Sequence, residues 1–387
     1  MSPPVLRCPL CQTPDGWQFF VRAGVPAQDG VLWPTRDAAL AAPRVDTRLA
    51  LCCHCGGIWN DAYDPAVVGF TGYDVSTDGS ATFLHFLEEL ASRLATTHAG
   101  AHQHVLDIAC GRGTLLRMLC GLTGASGLGI DPNAPPDADG AVRFIRDYFG
   151  PRYGRLVKGF ASCRQLIDLL PDPMGFLRMV RDCVASPQQT TFYFEVVDAR
   201  PTFSGGVVWN VIHERRVWFT PGALQRALTR AGFRVDAVAP CWQGEYLGAD
   251  CAAAEPRDTE ALQADELAEA KQQLAMFAGQ AESATTRLVE ALEAAVARGD
   301  RVALWGAGAR GVMVMVNEVA SAAIGTVVDI NPARQSLYLP LSGARVESPD
   351  ILRESAPDLV IIANPTYGAE IMAHAGRLGI TPRFMSA

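Results

Sequence analysis

The chain lacks several things, and each absence narrows what it does. No run of about 18 apolar residues occurs, so a membrane span is not expected. The start, "MSPPVLRCPLCQ", has no basic stretch followed by an apolar one, so nothing there marks it for export and a cytoplasmic location is expected. Positive charge is in the minority, with 33 Lys and Arg against 41 Asp and Glu and a net charge of −8. A nucleic-acid partner, which needs a basic surface to meet phosphates, is thereby excluded. What is present is 49% hydrophobic and 19% charged residues, a globular balance. The 387 residues exceed one ordinary core, so two or three domains are expected. A monomer or a small homo-oligomer is expected.

Eleven cysteines without an export signal read as thiols or metal ligands, not disulfides. Four of them fall as two C-x2-C knuckles, Cys8 with Cys11 in "RCPLCQ" and Cys52 with Cys55 in "LCCHCGG". Two knuckles supply four thiolates at the tetrahedral geometry zinc prefers. Cys53 and His54 lie inside the second knuckle and leave its register open, with Cys52 and Cys55 preferred. A closed four-sulfur set has no open coordination position, so this zinc is structural. The other cysteines are scattered, as small buried residues are.

"HVLDIACGRGTLLRML" reads as an apolar strand, a glycine turn and an amphipathic helix. Its pattern is an acid followed by Gly-x-Gly: Asp107, Gly111, Gly113. The dinucleotide fingerprint needs three glycines against a pyrophosphate. An acidic strand end suits instead a cationic, phosphate-free ligand, and S-adenosylmethionine carries an ammonium and a sulfonium. The next strand ends in Asp131 of "GLGIDPNAP", where an acid accepts bonds from ribose hydroxyls. Asp147 in "VRFIRDYFG" follows a third strand and is a candidate for the adenine amine. Arg164, at the end of a fourth, is counted with these cofactor residues. Further on, "TTFYFEVV" is an aromatic strand, and "TPGALQRALTRAGF" opens a helix on a Thr220 cap with Pro221 in its first turn. The order predicts a doubly wound sheet of the class I methyltransferase kind.

Beyond residue 253 the chain turns Ala- and Glu-rich, the composition of a helical connection or hairpin, read as solvated. "RVALWGAGARGVMVMVNEV" then places Gly306, Gly308 and Gly311 between a strand and a helix, and Asp329 ends the following strand in "TVVDINP". Taken alone this is a dinucleotide fingerprint, and it supports a rival reading as an NAD-dependent oxidoreductase. The unit is short, so a single nucleotide or diphosphate is the preferred ligand, with Arg310 and Arg334 as its cations. A purely structural remnant is the other alternative.

The whole chain resembles the sugar C-methyltransferase family of antibiotic biosynthesis, whose members methylate deoxyketosugars attached to nucleoside diphosphates. "RCPLCQ", "LCCHCGGIWND", "GYDVSTDGSATFLHF", "VLDIACGRGTLL", "WGAGARG", "VVDINPARQSLYLP" and "ESPDIL" carry the resemblance. It implies an α/β architecture: a small zinc-binding domain over residues 1–70 and a class I methyltransferase domain over 71–252. A helical connection over 253–300 and a C-terminal Rossmann-like domain over 301–387 complete it. It also implies S-adenosylmethionine as cofactor, a structural Zn2+, and a nucleotide-linked sugar between the last two domains.

The departures fall in the catalytic region. The family tends to read Cys-Arg-His-x-Leu-Glu-His-Ile where this chain has "CRQLIDLL", and Tyr-x-Glu-His where it has Ile212, His213, Glu214 and Arg215. That Tyr and His are implicated in catalysis by the family, and only Glu214 persists. Carbon methylation beside a ketone needs a base and then a donor for the enolate oxygen. Arginine stays protonated and cannot be that base, so Arg215 is left to hold an oxyanion, phosphate or carboxylate. His213 faces the opposite way on an extended strand and substitutes only if the loop bends. Tyr73 and Glu214 are the remaining candidates. The expected function is therefore a small-molecule methyltransferase with an altered acceptor site, in which O- or N-methylation gains ground. A homologue that binds the cofactor without methylating is the alternative.

Overall fold

The computed structural model describes residues 7–70, 77–136, 140–186 and 189–387, whose strands form three sheets. The first starts with β1 (Gly16–Pro26) and β2 (Arg44–Cys52), antiparallel and joined through the short α1 (Arg36–Leu40). A tight turn at Gly56, with φ of 73°, leads to β3 (Ile58–Asn60). The fourth strand comes from far along the chain. It is β9 (Val217–Trp218), with Trp218 opposite Ile58. The end of "WNVIHERRVWFT" is therefore built into the N-terminal sheet.

In the central sheet β4 (His104–Ile108), β5 (Ser126–Ile130), β6 (Val142–Ile145), β7 (Phe160–Arg164) and β8 (Thr191–Val197) run parallel. β10 (Phe233–Cys241) and β11 (Tyr246–Ala253) close it as an antiparallel pair. The order β10-β11-β8-β7-β4-β5-β6 is the doubly wound sheet of class I methyltransferases. α2 (Ala81–Thr97) buries Phe83, Leu87, Leu90 and Leu94, at helical spacing, and shares one core with α3 (Thr114–Thr123). α4 (Pro173–Asp182) and α6 (Pro221–Ala231) share another with Leu177, Val180, Leu224 and Leu228. The strand order reverses between β4 and β7, and the carboxyl ends of the strands at such a reversal are where these sheets bind ligands.

The third sheet is parallel and ordered β14-β13-β12-β15-β16. Its strands are β12 (Val302–Trp305), β13 (Ile324–Val328), β14 (Val346–Glu347), β15 (Leu359–Ile362) and β16 (Arg383–Ser386). Helices α8 (Ala309–Met315), α9 (Glu318–Ala323), α10 (Leu352–Ser355) and α11 (Gly368–Leu378) connect them.

Between α5 (Ala199–Ser204) and this sheet runs α7 (Ala264–Ala297), one continuous helix of 34 residues and not a hairpin. Its composition suggested a solvated connection, and the structure corrects that. Leu274, Phe277, Ala281, Leu288, Leu292 and Ala295 form a buried stripe. The Phe277 ring meets Phe20 of β1 at 4.9 Å and Phe203 of α5 at 5.1 Å. The same core includes Leu49, Leu51, Trp209, Trp218, Val302 and Leu304, so the N-terminal sheet and the C-terminal unit share it across α7. Ala- and Glu-rich composition hid the stripe because alanine fills two of its six positions. No helix among the described residues is long and apolar enough to cross a membrane.

Phe277→Ala is expected to cost about 3–5 kcal/mol, the range for emptying a buried aromatic site. Met276, half exposed one residue away, is the control. Met276→Ala should stay within about 0.5 kcal/mol of the parent. Thermal unfolding of both variants distinguishes a packed spine from a solvated link.

Candidate functional site

The two cysteine knuckles meet as the spacing predicts. All four sulfurs of Cys8, Cys11, Cys52 and Cys55 lie within 4.8 Å of one another, with Cys8–Cys55 at 3.6 Å and Cys11–Cys52 at 3.4 Å. Zinc bound to four thiolates at about 2.3 Å spaces them about 3.8 Å apart. A disulfide needs about 2.05 Å, so these are thiols. Backbone N–H groups of Leu10 and Cys55 each point at a sulfur, on Cys8 and Cys52, at 3.4 Å. A Cβ on Gly57 would meet Leu10 at 2.7 Å, so glycine lets the knuckles close on each other. Hydrogen bonding to Cys11, followed by burial, pushes the Cys8 and Cys55 thiols up, a crowding that a cation relieves by holding thiolates.

The glycine turn after β4 is shaped for close approach. A Cβ on Gly113 would strike the Phe144 ring at 2.4 Å. The Asp131 carboxylate accepts from Gly111 N at 3.1 Å and Asn133 N at 2.7 Å, so it fixes the loop. Asp107 is buried and accepts from Ser162 Oγ at 2.7 Å. Burial pushes its carboxyl up to about 6, against the pull of Ser162 and Arg164. Asp147 stands at the end of β6 but is already engaged, by Arg152, the Tyr153 hydroxyl and Tyr148 N. Arg164 is not open to a cofactor either: its guanidinium pairs with buried Glu195 at 2.8 Å. The fully buried carboxylate captures it.

A cleft of about 290 Å³ lies between the central and C-terminal domains. It brings together Glu214, Arg215, Arg310, Asp329 and Arg334, residues that the sequence offered for two different roles. Tyr73 lies outside the described residues. The segment Thr77–Ser80 spans the cleft and the cofactor turn: Asp78 accepts from Thr114 Oγ1 at 2.6 Å, while Ser80 donates to Glu370 of α11 at 2.6 Å. Glu370 also accepts from the N–H groups of Ala81 and Thr82, so a side chain of the C-terminal domain caps α2 of the central one.

His213 does not face the cleft, and its assignment as a catalytic base is corrected. It is 1% exposed and sits against the N-terminal domain. Its Nδ1 donates to the Asp46 carbonyl at 3.0 Å, and Nε2 accepts from Asp64 N at 3.3 Å. Both nitrogens are spent on a neutral ring, and burial pushes its pKa down. A turn at His213 and Glu214 sends the two side chains apart, the ring against the N-terminal domain and the carboxylate to the cleft. Arg215 does face the cleft, and its Nε bonds the buried Asp168 carboxylate at 3.0 Å. Positions 168 and 215, both departures from the family pattern, are thus in contact.

Arg310 crosses between the domains, donating to Asn210 Oδ1 at 2.6 Å, Asn364 Oδ1 at 2.5 Å and Glu245 Oε1 at 3.0 Å. Arg334 is buried and donates to the Ala307 carbonyl. Asp329 accepts from Ala307 N at 2.7 Å and Asn331 N at 2.8 Å, as Asp131 does at the other glycine loop. A Cβ on Gly311 would lie 1.9 Å from the Gly306 carbonyl, so only glycine lets α8 pack there. Sequence reasoning missed Glu195, Glu245 and Tyr246. Glu195 had a usable signal, a lone acid in an aromatic strand; Glu245 and Tyr246 sit between glycines in "QGEYLG" and had none.

A family profile described as a methyltransferase domain matches residues 80–238, and one described as the C-terminal domain of C-methyltransferases matches residues 251–379. No curated protein matches the chain. Solved structures that it resembles include an O-methyltransferase family protein from Burkholderia thailandensis, at 14% identity and a TM-score of 0.34. That match covers 45% of this chain and 58% of the other, little more than half of its length. Another is the 1,6-didemethyltoxoflavin-N1-methyltransferase of Burkholderia thailandensis, at 18% identity and a TM-score of 0.35 over 46% of this chain and 83% of that one.

His213→Ala strands the Asp46 carbonyl and the Asp64 N–H, and is expected to lower stability by about 1–3 kcal/mol. Methyl transfer measured below the melting transition should be nearly unchanged. A large loss of turnover with parental stability would return His213 to the catalytic set.

Proposed function

Starting from a chain that its two matched domains make a methyltransferase, we propose that it moves a methyl group from S-adenosylmethionine to a nitrogen or oxygen of a small molecule. The acceptor, a sugar or related natural-product intermediate, lies in the cleft between the central and C-terminal domains. The ion pair of Asp168 and Arg215 carries this reading. It occupies the place where the resemblance puts a basic histidine, and an arginine held by a carboxylate takes up no proton. A heteroatom with a lone pair needs no deprotonation at carbon, so the loss is tolerable there.

S-adenosylmethionine, when bound, supplies an electrophilic methyl on a sulfonium. Asp107 and Asp131, at the carboxyl ends of β4 and β5, would hold its ammonium and ribose hydroxyls, beside the glycine turn on which Phe144 packs. Glu214, buried in the cleft wall, takes the proton from the nucleophile. The remaining contribution is positioning. Each arginine lining the cleft among the described residues already has a protein partner, which favours a neutral acceptor over a diphosphate. Cys8, Cys11, Cys52 and Cys55 hold a structural Zn2+.

Incubating the purified enzyme with S-adenosylmethionine and a panel of amino, hydroxy and keto sugars tests the reaction. The product should carry its new methyl on nitrogen or oxygen by NMR, and Glu214→Gln should lower kcat by about 10²–10⁴-fold. A methyl on carbon would overturn the heteroatom reading. No binding of S-adenosylmethionine at saturation would overturn the donor.

Donor affinity should depend on pH with a definite sign. The Asp107 carboxyl, pushed up to about 6, is neutral below that pH and loses its attraction for a cation. Affinity by calorimetry should rise from about pH 5 to about pH 7, and Asp107→Asn should flatten the profile. Metal analysis of the same preparation should find one zinc per chain, released together with the fold of the N-terminal sheet in Cys11→Ser.

A further inference from the structure

A second cavity, of about 530 Å³, lies between the first cysteine knuckle and helices α4 and α6, away from the acceptor cleft. Arg7, Arg178, Arg216 and Arg230 all line it. None of the four pairs with a carboxylate among the described residues. Arg7 donates to the Gln12 carbonyl at 3.1 Å, and Arg230 to Thr259 Oγ1 at 2.7 Å and its carbonyl at 3.2 Å. Arg216 donates to the Asn60 carbonyl at 2.5 Å, while its Nε is buried without a partner. Arg178 is exposed on α4, with its guanidinium unbonded.

Two acids share the wall, Asp172 and Asp258. Asp172 spends Oδ1 on Gly175 N at 2.8 Å, as the cap of α4. The cavity therefore holds an excess of cations on a chain whose net charge is −8. Unpaired cations around one cavity repel each other, and a buried N–H without an acceptor costs free energy. An anion removes both penalties at once, and the planar guanidinium is the group best shaped to bind one.

We propose that this groove binds a small, multiply charged anion bearing phosphate or carboxylate groups. Arg178 and Arg230 grip it at the mouth, and the Arg216 Nε meets it within. The site touches the acceptor cleft through one turn of chain. Arg216 N and Val217 N both donate to the Asp168 carbonyl, at 2.8 and 3.0 Å, and the Asp168 carboxylate holds Arg215 in the cleft. Occupancy of the groove thus bears on the group that lines the acceptor.

Isothermal calorimetry of the full chain with pyrophosphate and with citrate, at constant ionic strength, tests this. One of the two should bind saturably at one site, and which one does so decides between phosphate and carboxylate chemistry. Arg178→Glu, at an exposed position, should weaken that binding about tenfold or more. Its affinity for S-adenosylmethionine should match the parent, which shows that the variant is folded. If neither anion saturates, or if Arg178→Glu binds as tightly as the parent, the groove is not an anion site.

Discussion

The stretch from Ile212 to Val217 is lashed by its backbone on both sides. Asn60 N donates to the Arg216 carbonyl and the Asn60 side chain to the His213 carbonyl, while Arg216 N and Val217 N donate to Asp168. One flank belongs to the N-terminal sheet and the other to the loop after β7. A segment fixed in this way cannot roll, and each side chain is committed to one direction. Ile212, Glu214 and Arg215 reach the cleft, His213 enters the N-terminal domain, and Arg216 faces the arginine-lined groove. The N-terminal domain therefore shapes the site without lining it, by holding the strand from which the site is hung.

Given that orientation, the chemistry of positions 168 and 215 follows as a pair. A carboxylate as deeply buried as Asp168 is costly unless a cation meets it, and Arg215 is the cation that never gives up its proton. Burial still holds the Asp168 carboxyl above its usual range, and Arg215 opposes the shift. Losing either member alone leaves a buried charge, which typically costs about 3–5 kcal/mol, so the two constrain each other. A histidine beside a carboxylate can pass a proton, whereas this pair holds its charges fixed. The cleft carries a static dipole at this point, and under the proposed function the proton acceptor has to be Glu214 or none.

What could be read from residues alone were the features made by local backbone chemistry. The knuckles, the glycine turns at Gly111–Gly113 and Gly306–Gly311, and the Thr220 cap each depend on a few neighbouring residues, and the structure has all of them in place. Side chains whose partners arrive from elsewhere were only partly legible. His213, Arg164 and Arg310 carry suitable chemistry in suitable motifs, but Asp46, Glu195 and Glu245 claim them, and none of those contacts leaves a trace in spacing. The role of α7 was hidden for a related reason, since alanine is both a good helix former and an adequate core residue.

The proposed acceptor cleft is walled by two domains, so its usefulness depends on how firmly they are joined. Three contacts of different kinds hold them. The α7 stripe provides a shared apolar core, Arg310 ties Asn210 and Glu245 to Asn364, and Glu370 caps the N-terminus of α2. The last is adjacent to Asp78, which reaches back to Thr114 at the start of α3. A displacement of the C-terminal domain would pull on Ser80, then on Asp78, and so on Thr114 beside the glycine turn proposed to hold the donor. Methyl transfer demands an in-line approach, and without a strong base in the cleft positioning is the main lever left. Under the proposed function the joint between the domains belongs to the positioning machinery, because it sets how far the two walls of the cleft stand apart.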